Sequence, residues 1–133
     1  MGTRWLCHIH TDGIESDIMT TVYGQFDGYP TGAGEDIKKA FEGRELVNGI
    51  PGDRSKYVNG MGCAAALLVW SLKDGEAGGI YVYAPGTKDV WENYVYDLYV
   101  KDQKLHLKLG SIFDGPLNEF DGRTVEALER DDD

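Results

Sequence analysis

The sequence predicts an α+β fold, with a single antiparallel sheet of about five strands and two helices packed on one face. Three observations carry this reading. Apolar residues alternate with period two in several short stretches, two other stretches switch to helical spacing, and glycine-rich turn signals separate them. With 133 residues, a hydrophobic fraction of 41%, three Trp, eight Tyr and four Phe, the chain can bury a core without staples.

Thr3 to His10 alternates, with Trp5, Cys7 and Ile9 on one side and Leu6, His8 and His10 on the other, and predicts the first strand. Thr11-Asp12-Gly13 signals a turn, and the alternation resumes from Ile18 to Phe26 to complete a hairpin. From Gly34 the spacing becomes helical: Ile37, Ala40 and Phe41 share a face, Glu35 and Asp36 occupy the first turn, and Gly43 stops the helix. Arg44 to Asn59 shows no period and predicts a long loop.

Asn59 to Leu72 is rich in Ala and Leu and apolar on nearly every side, which predicts a core helix with an unobstructed glycine-rich N-terminus. Gly79–Ala84, Glu92–Val100 and Lys104–Leu109 predict three further strands in an antiparallel meander, with Leu105, Leu107 and Leu109 inward and Lys104, His106 and Lys108 on a wet face. Phe-Asp-Gly recurs at 26–28, 113–115 and 120–122 without a common period, so all three copies read as turns. The organisation is one domain over 1–113 and an acidic tail over 114–133.

Charge bounds the partners. The net charge is −10, and eight of the 23 acidic residues lie between Asp114 and Asp133 against Arg123 and Arg130. This argues against direct nucleic-acid binding through phosphates. No stretch is long and apolar enough for a signal peptide or a membrane span, which predicts a cytoplasmic protein that does not engage membranes. Cys7 and Cys63 form no C-x-x-C unit and read as two buried thiols, with one disulfide or a metal ligand as lesser alternatives.

Catalytic signatures are weak. His8 and His10 share a strand face, but no third ligand is suggested by spacing, so they read as solvent-facing imidazoles and no metal site is expected. Cys63 lies just inside a helix N-terminus without a histidine placed to activate it. Gly60-x-Gly62 lacks the Lys-Ser or Lys-Thr of a phosphate loop, and no cofactor motif is present. The tyrosines at 81, 83, 94, 96 and 99 suit strands as well as they suit stacking on bases.

The stretch from Tyr23 to Gly34, Tyr-Gly-Gln-Phe-Asp-Gly-Tyr-Pro-Thr-Gly-Ala-Gly, is longer than a chain reversal needs and presents Gln25, Asp27 and Tyr29. Asp27 is the candidate acid or base, with a turn-capping role as the alternative. Together with the opening Met-Gly-Thr-Arg, with Val47-Asn48-Gly49, with Asn59-Gly60-Met61-Gly62-Cys63, and with the strands at Gly78–Tyr81 and Tyr94–Tyr96, this block resembles a family of small, largely uncharacterised proteins encoded by phages, prophages and some bacteria. The resemblance covers roughly residues 1–100. It departs at Gly24, where the family usually has Arg, and at Leu67, where it has Gln.

The resemblance implies a phage-type accessory protein acting in the host cytoplasm, where such proteins counter host defence. The leading expectation is a non-enzymatic module binding a small, nucleotide-like anion between the Gln25–Tyr29 loop and the N-terminus of the second helix. Arg4 would neutralise the ligand, the amides around Asn59, Gly60, Met61 and Gly62 would hold its phosphate, and Tyr29 would stack on its base. One alternative is a small enzyme acting on a phosphorylated compound with Asp27 as base. Another is an acidic inhibitor of a host defence protein that mimics nucleic acid, and the sequence leaves a homo-oligomer open.

Overall fold

A computed structural model describes residues 2–49 and 52–131. Met1 of the opening motif, Ile50 and Pro51 of the expected long loop, and the acidic end at Asp132 and Asp133 lie outside the described residues. The α+β class holds, but the sheet is larger than expected and only partly antiparallel.

The strands are β1 (Trp5–His10), β2 (Ile18–Gly24), β3 (Glu45–Val47), β4 (Tyr57–Asn59), β5 (Ile80–Tyr83), β6 (Tyr94–Lys101), β7 (Lys104–Leu109) and β8 (Phe113–Pro116). Six of them form one sheet in the order β5-β2-β1-β6-β7-β8, and β3 and β4 pair in parallel as a separate ribbon. The expected hairpins β1–β2 and β6–β7 are present. The expected meander is not: β5 joins the far edge against β2, and β6 runs parallel to β1. The ten-residue link from Ala84 to Asn93 makes this feasible. It must cross three strand spacings, about 14 Å, and return the length of a strand, within reach of an extended chain of that length.

Alternation sorts the sheet into two unlike faces. Trp5, Cys7, Ile9, Val22, Tyr96, Leu98, Leu107 and Leu109 share one core with residues of all three helices. Those helices are α1 (Glu35–Ala40), α2 (Gly60–Lys73) and α3 (Gly122–Asp131). They contribute Ile37, then Met61, Ala64 and Leu68, then Val125. α2 is therefore not buried all round, as its composition had implied: only Met61, Ala64 and Leu68 are buried, and Trp70 is 71% exposed. The second face carries Leu6, His8, His10, Thr21, Tyr23, Asp97, Tyr99 and His106, and all three histidines are buried, contrary to the solvent-facing reading. Cys7 is a buried thiol whose pKa burial pushes well up, while Cys63 is half-buried and also free.

Residues 114–131 are built into the same body. β8 pairs with β7, so the second Phe-Asp-Gly is strand and not turn. Phe120 and Val125 are buried in the core, and Glu126 and Glu129 accept hydrogen bonds from Thr31 and from the Tyr94 hydroxyl.

The glycine-punctuated stretch from Gly24 to Gly34 owes its composition to close packing. A side chain at Gly24 would land inside the Trp5 indole, one at Gly28 would lie 2.9 Å from the Thr3 carbonyl oxygen, and one at Gly34 would lie 2.6 Å from the Phe120 ring. Trp5 Nε1 donates to the Phe26 carbonyl at 3.1 Å, and the Tyr96 hydroxyl donates to that of Gly28 at 2.7 Å. A single π-helical turn, Pro30–Gly34, then leads into α1. Gly24→Ala should destabilise the protein by about 3 kcal/mol through overpacking against a rigid indole. In a double-mutant cycle with Trp5→Ala, chemical denaturation should show the two losses to be strongly non-additive. Additive losses would mean that the contact is not what Gly24 serves.

Candidate functional site

The expected pocket is not assembled. Gln25 is fastened to Gly79, its amide donating to the Gly79 carbonyl at 2.9 Å and its Oε1 accepting from the Gly79 amide at 3.1 Å. Lys73, the last residue of α2, donates to the carbonyls of Gly78 and Ile80 at 3.1 and 2.9 Å. The Gln25–Tyr29 loop therefore sits at the C-terminal end of α2. Asn59, Gly60, Met61 and Gly62 lie at its other end, a full 14-residue helix away, about 20 Å.

Each member of the expected set has a local placement. Arg4 joins the sheet through its backbone, donating to Asn93 Oδ1 and accepting from the Asn93 amide. Asp27 is exposed with a left-handed φ of 57° and accepts from the Tyr29 hydroxyl at 2.8 Å, which raises the pKa of that phenol. This side-chain pairing replaces the expected backbone cap. Asn59 Oδ1 accepts from the Gly49 amide at 2.7 Å, tying the end of β4 to the segment after β3. Gly60 supplies the φ of 81° that turns the chain into α2, Met61 is core, and Gly62 faces open space.

Two other convergences have more chemistry. The first is a cleft of about 570 Å³ where the turn after α1 meets the β6–β7 hairpin and the segment after β8. Buried Phe41 and Leu117 with half-buried Leu46 and Leu105 form its apolar floor. Lys38, Arg44 and Lys104 stand around it with Glu42, Glu45 and Asp102. Among the described residues, the one ion pair within 4.0 Å is His10–Asp97, so none of these three cations is neutralised by a carboxylate. Lys38 Nζ donates to the Phe120 carbonyl at 2.7 Å, and Arg44 Nη1 to the carbonyls of Tyr57 and Arg54 at 3.2 and 3.3 Å. These bonds aim both groups while leaving further donors uncommitted.

The second convergence is a polar row across the face opposite the helices. Register places Thr21, His8, Asp97, Lys108 and Asp114 side by side on β2, β1, β6, β7 and β8. His8 Nδ1 lies 2.8 Å from Thr21 Oγ1, which also accepts from the Gly86 amide at 3.0 Å. His10 lies between the Ser16 carbonyl at 3.2 Å and Asp97 Oδ1 at 2.7 Å. Tyr99 donates a short hydrogen bond to Asp114 and packs against the rings of His10 and His106. A second cleft, about 660 Å³, opens over Val95, Asp97, Lys108, Gly110, Ser111 and Asp114.

Neither convergence was legible in the sequence, because each is made by register between segments distant in the chain. The one available signal was the pair His8 and His10 on a common strand face. No metal-binding group of three His, Cys, Asp or Glu residues occurs among the described residues. No helix of the described residues is long and apolar enough to cross a membrane. No protein-family model, curated protein or solved structure matches the chain.

Burial holds the His8 imidazole below its ordinary pKa of 6.5, while Asp97 on β6 and Glu92 in the link before it pull upward and His10 pulls downward. The unfolded chain takes up this proton near 6.5 and the folded chain only at lower pH. Stability from neutral His8 is thus complete above 6.5 and is lost as pH falls from there toward the lowered folded value. Thermal melts should show the melting temperature falling over this window, and His8→Gln should fall less steeply. Equal slopes would remove His8 from the account.

Proposed function

We propose that the protein is a non-enzymatic binding module for a small anion that carries an apolar ring, of the nucleotide type. Its site is the cleft between the α1–β3 turn and the β6–β7 hairpin. The observation that carries this reading is the set of three cations around an apolar floor, Lys38, Arg44 and Lys104, none paired with a carboxylate. A ring would rest on Phe41, Leu46, Leu105 and Leu117, and a phosphate would take the free donors of Lys104 and Arg44. The cleft volume of about 570 Å³ is of the size that encloses a mononucleotide-sized ligand.

In a phage-type accessory protein, such capture would withdraw a nucleotide signal from host defence. Affinity then has to come from local geometry, since the net charge of −10 opposes an anion's approach at long range.

A thermal-shift screen with mononucleotides and cyclic nucleotides tests this. A ligand at one hundred times its Kd should raise the melting temperature by about 10 °C for a chain of this size, and it should be recovered intact. Lys104→Glu, an exposed position, should weaken binding at least about tenfold while the unliganded melting temperature stays put. Recovery of a cleaved product would favour the enzyme alternative. Absence of any shift across the series would sink the nucleotide reading.

A further inference from the structure

We propose that the polar row on the helix-free face is a second binding site, one that takes a neutral polyhydroxyl ring such as a sugar or the ribose of a nucleoside. The argument begins with the tautomer of His8. Thr21 Oγ1 already accepts from the Gly86 amide, and the acceptor available to its own proton is His8 Nδ1, at 2.8 Å. Thr21 therefore donates to Nδ1, and the imidazole proton resides on Nε2.

The two nitrogens lie on roughly opposite sides of the ring. With Nδ1 turned to β2, Nε2–H is directed away from β2, toward the side where Asp97 of β6 stands in register with His8. His8 is 9% exposed, and among the described residues its Nε2 meets no hydrogen-bond partner.

From β6 to β8 the lining of the cleft then reads acceptor, donor, acceptor, with Asp97, Lys108 and Asp114 one per strand at about 4.8 Å spacing, and His8 stands next in the row on β1, outside the lining. Both carboxylates are oriented before any ligand arrives. Asp97 Oδ1 is held by His10 and Asp114 Oδ1 by the Tyr99 hydroxyl, leaving the second oxygen of each uncommitted. Lys108 Nζ has no carboxylate within 4.0 Å, and the exposed Ser111 hydroxyl adds a donor at the cleft's edge.

This pattern selects its ligand by chemistry. A phosphate would face two carboxylates, and a free ammonium would face Lys108. A hydroxyl donates and accepts at once, so each gap between neighbours in the row suits one hydroxyl, which donates to a carboxylate and accepts from the N–H beside it. The open cleft of about 660 Å³ leaves room for such a ring beside Val95.

Amide-resolved NMR titration of the full chain decides the matter, with methyl α-glucoside in one arm and adenosine in the other, and 2′,3′-dideoxyadenosine as control. Binding should shift the resonances of residues 95–97 and 108–114, while the dideoxy control should leave them unmoved. A response to the glucoside alone assigns a free sugar, and one to adenosine alone assigns a riboside. Lys108→Met, half-buried and engaged in no ion pair, should weaken binding about tenfold. Lys104→Glu, in the other cleft, should leave it unchanged, so failure here is separable from failure of the nucleotide reading. Silence in both arms up to about 50 mM, or equal shifts with the dideoxy control, would overturn the proposal.

Discussion

The indole of Trp5 lying flat across Gly24 is the contact on which the rest of the molecule depends. It fills the space that any side chain on β2 would need at that point, and its Nε1–H holds the Phe26 carbonyl. Trp5 also meets Tyr96 edge-on at 6.1 Å, and the Tyr96 hydroxyl reaches the Gly28 carbonyl. Two large aromatic side chains on neighbouring parallel strands thus grip the carbonyls of Phe26 and Gly28 in one loop. Buried as they are, their polar atoms need partners, and the loop supplies them. The grip continues outward, since Gly34 lies under Phe120 and the Pro30 carbonyl lies 2.7 Å from where a side chain on Gly122 would stand. The glycine at position 24 has a cause in this chain's own packing. Trp5 occupies the space, so no longer side chain fits.

Elements whose evidence is local were legible. The β1–β2 and β6–β7 hairpins follow from alternation plus a turn, and α1 and α2 follow from composition and stops. Pairings between distant segments were not. Nothing near Ile80–Tyr83 states that its partner is β2, 56 or more residues earlier, and the parallel pairing of β1 with β6 depends on a link whose length permits several routes. β3 and β4 are three residues each, too short for a period to show. The face of a strand is fixed by alternation, but what lies over that face is not. His8, His10 and His106 were correctly placed off the core side, yet neighbouring side chains and the crossing link bury them.

The same distinction separates the expected site from the observed convergences. Gln25, Asp27 and Tyr29 share a loop, and Asn59 to Gly62 share a helix start, so each group was visible as a unit. Their relation depends on the direction in which α2 crosses the sheet, and Lys73 at its C-terminal end donates to the carbonyls of Gly78 and Ile80 at the start of β5. The C-terminal end of α2 is thereby fastened beside the start of β5, and the two loops lie a helix apart. Gly24, Gly28 and Gly34 serve close packing, and what the loop exposes is a tyrosine–aspartate pair that satisfies itself.

The two clefts differ in how their charges are held, and this sets what each can do. Around Phe41 and Leu117 the cations and acids are mostly at the rim, in water, and Lys38 and Arg44 are aimed by bonds to one and two backbone carbonyls respectively. Such groups can rearrange around an incoming anion at modest cost, and their attraction is weakened by salt. Across the helix-free face, by contrast, Asp97 and Asp114 are each anchored by a ring on the neighbouring row, and His8 is held by Thr21, which itself accepts from the Gly86 amide. Groups fixed in this way lose little freedom when a ligand meets them, but they accept only a ligand whose donors and acceptors fall in the same order. Under the two proposals, an acidic chain carries an adaptable anion cleft and a rigid neutral one without conflict, because each draws on short-range contacts between fixed groups and ligand.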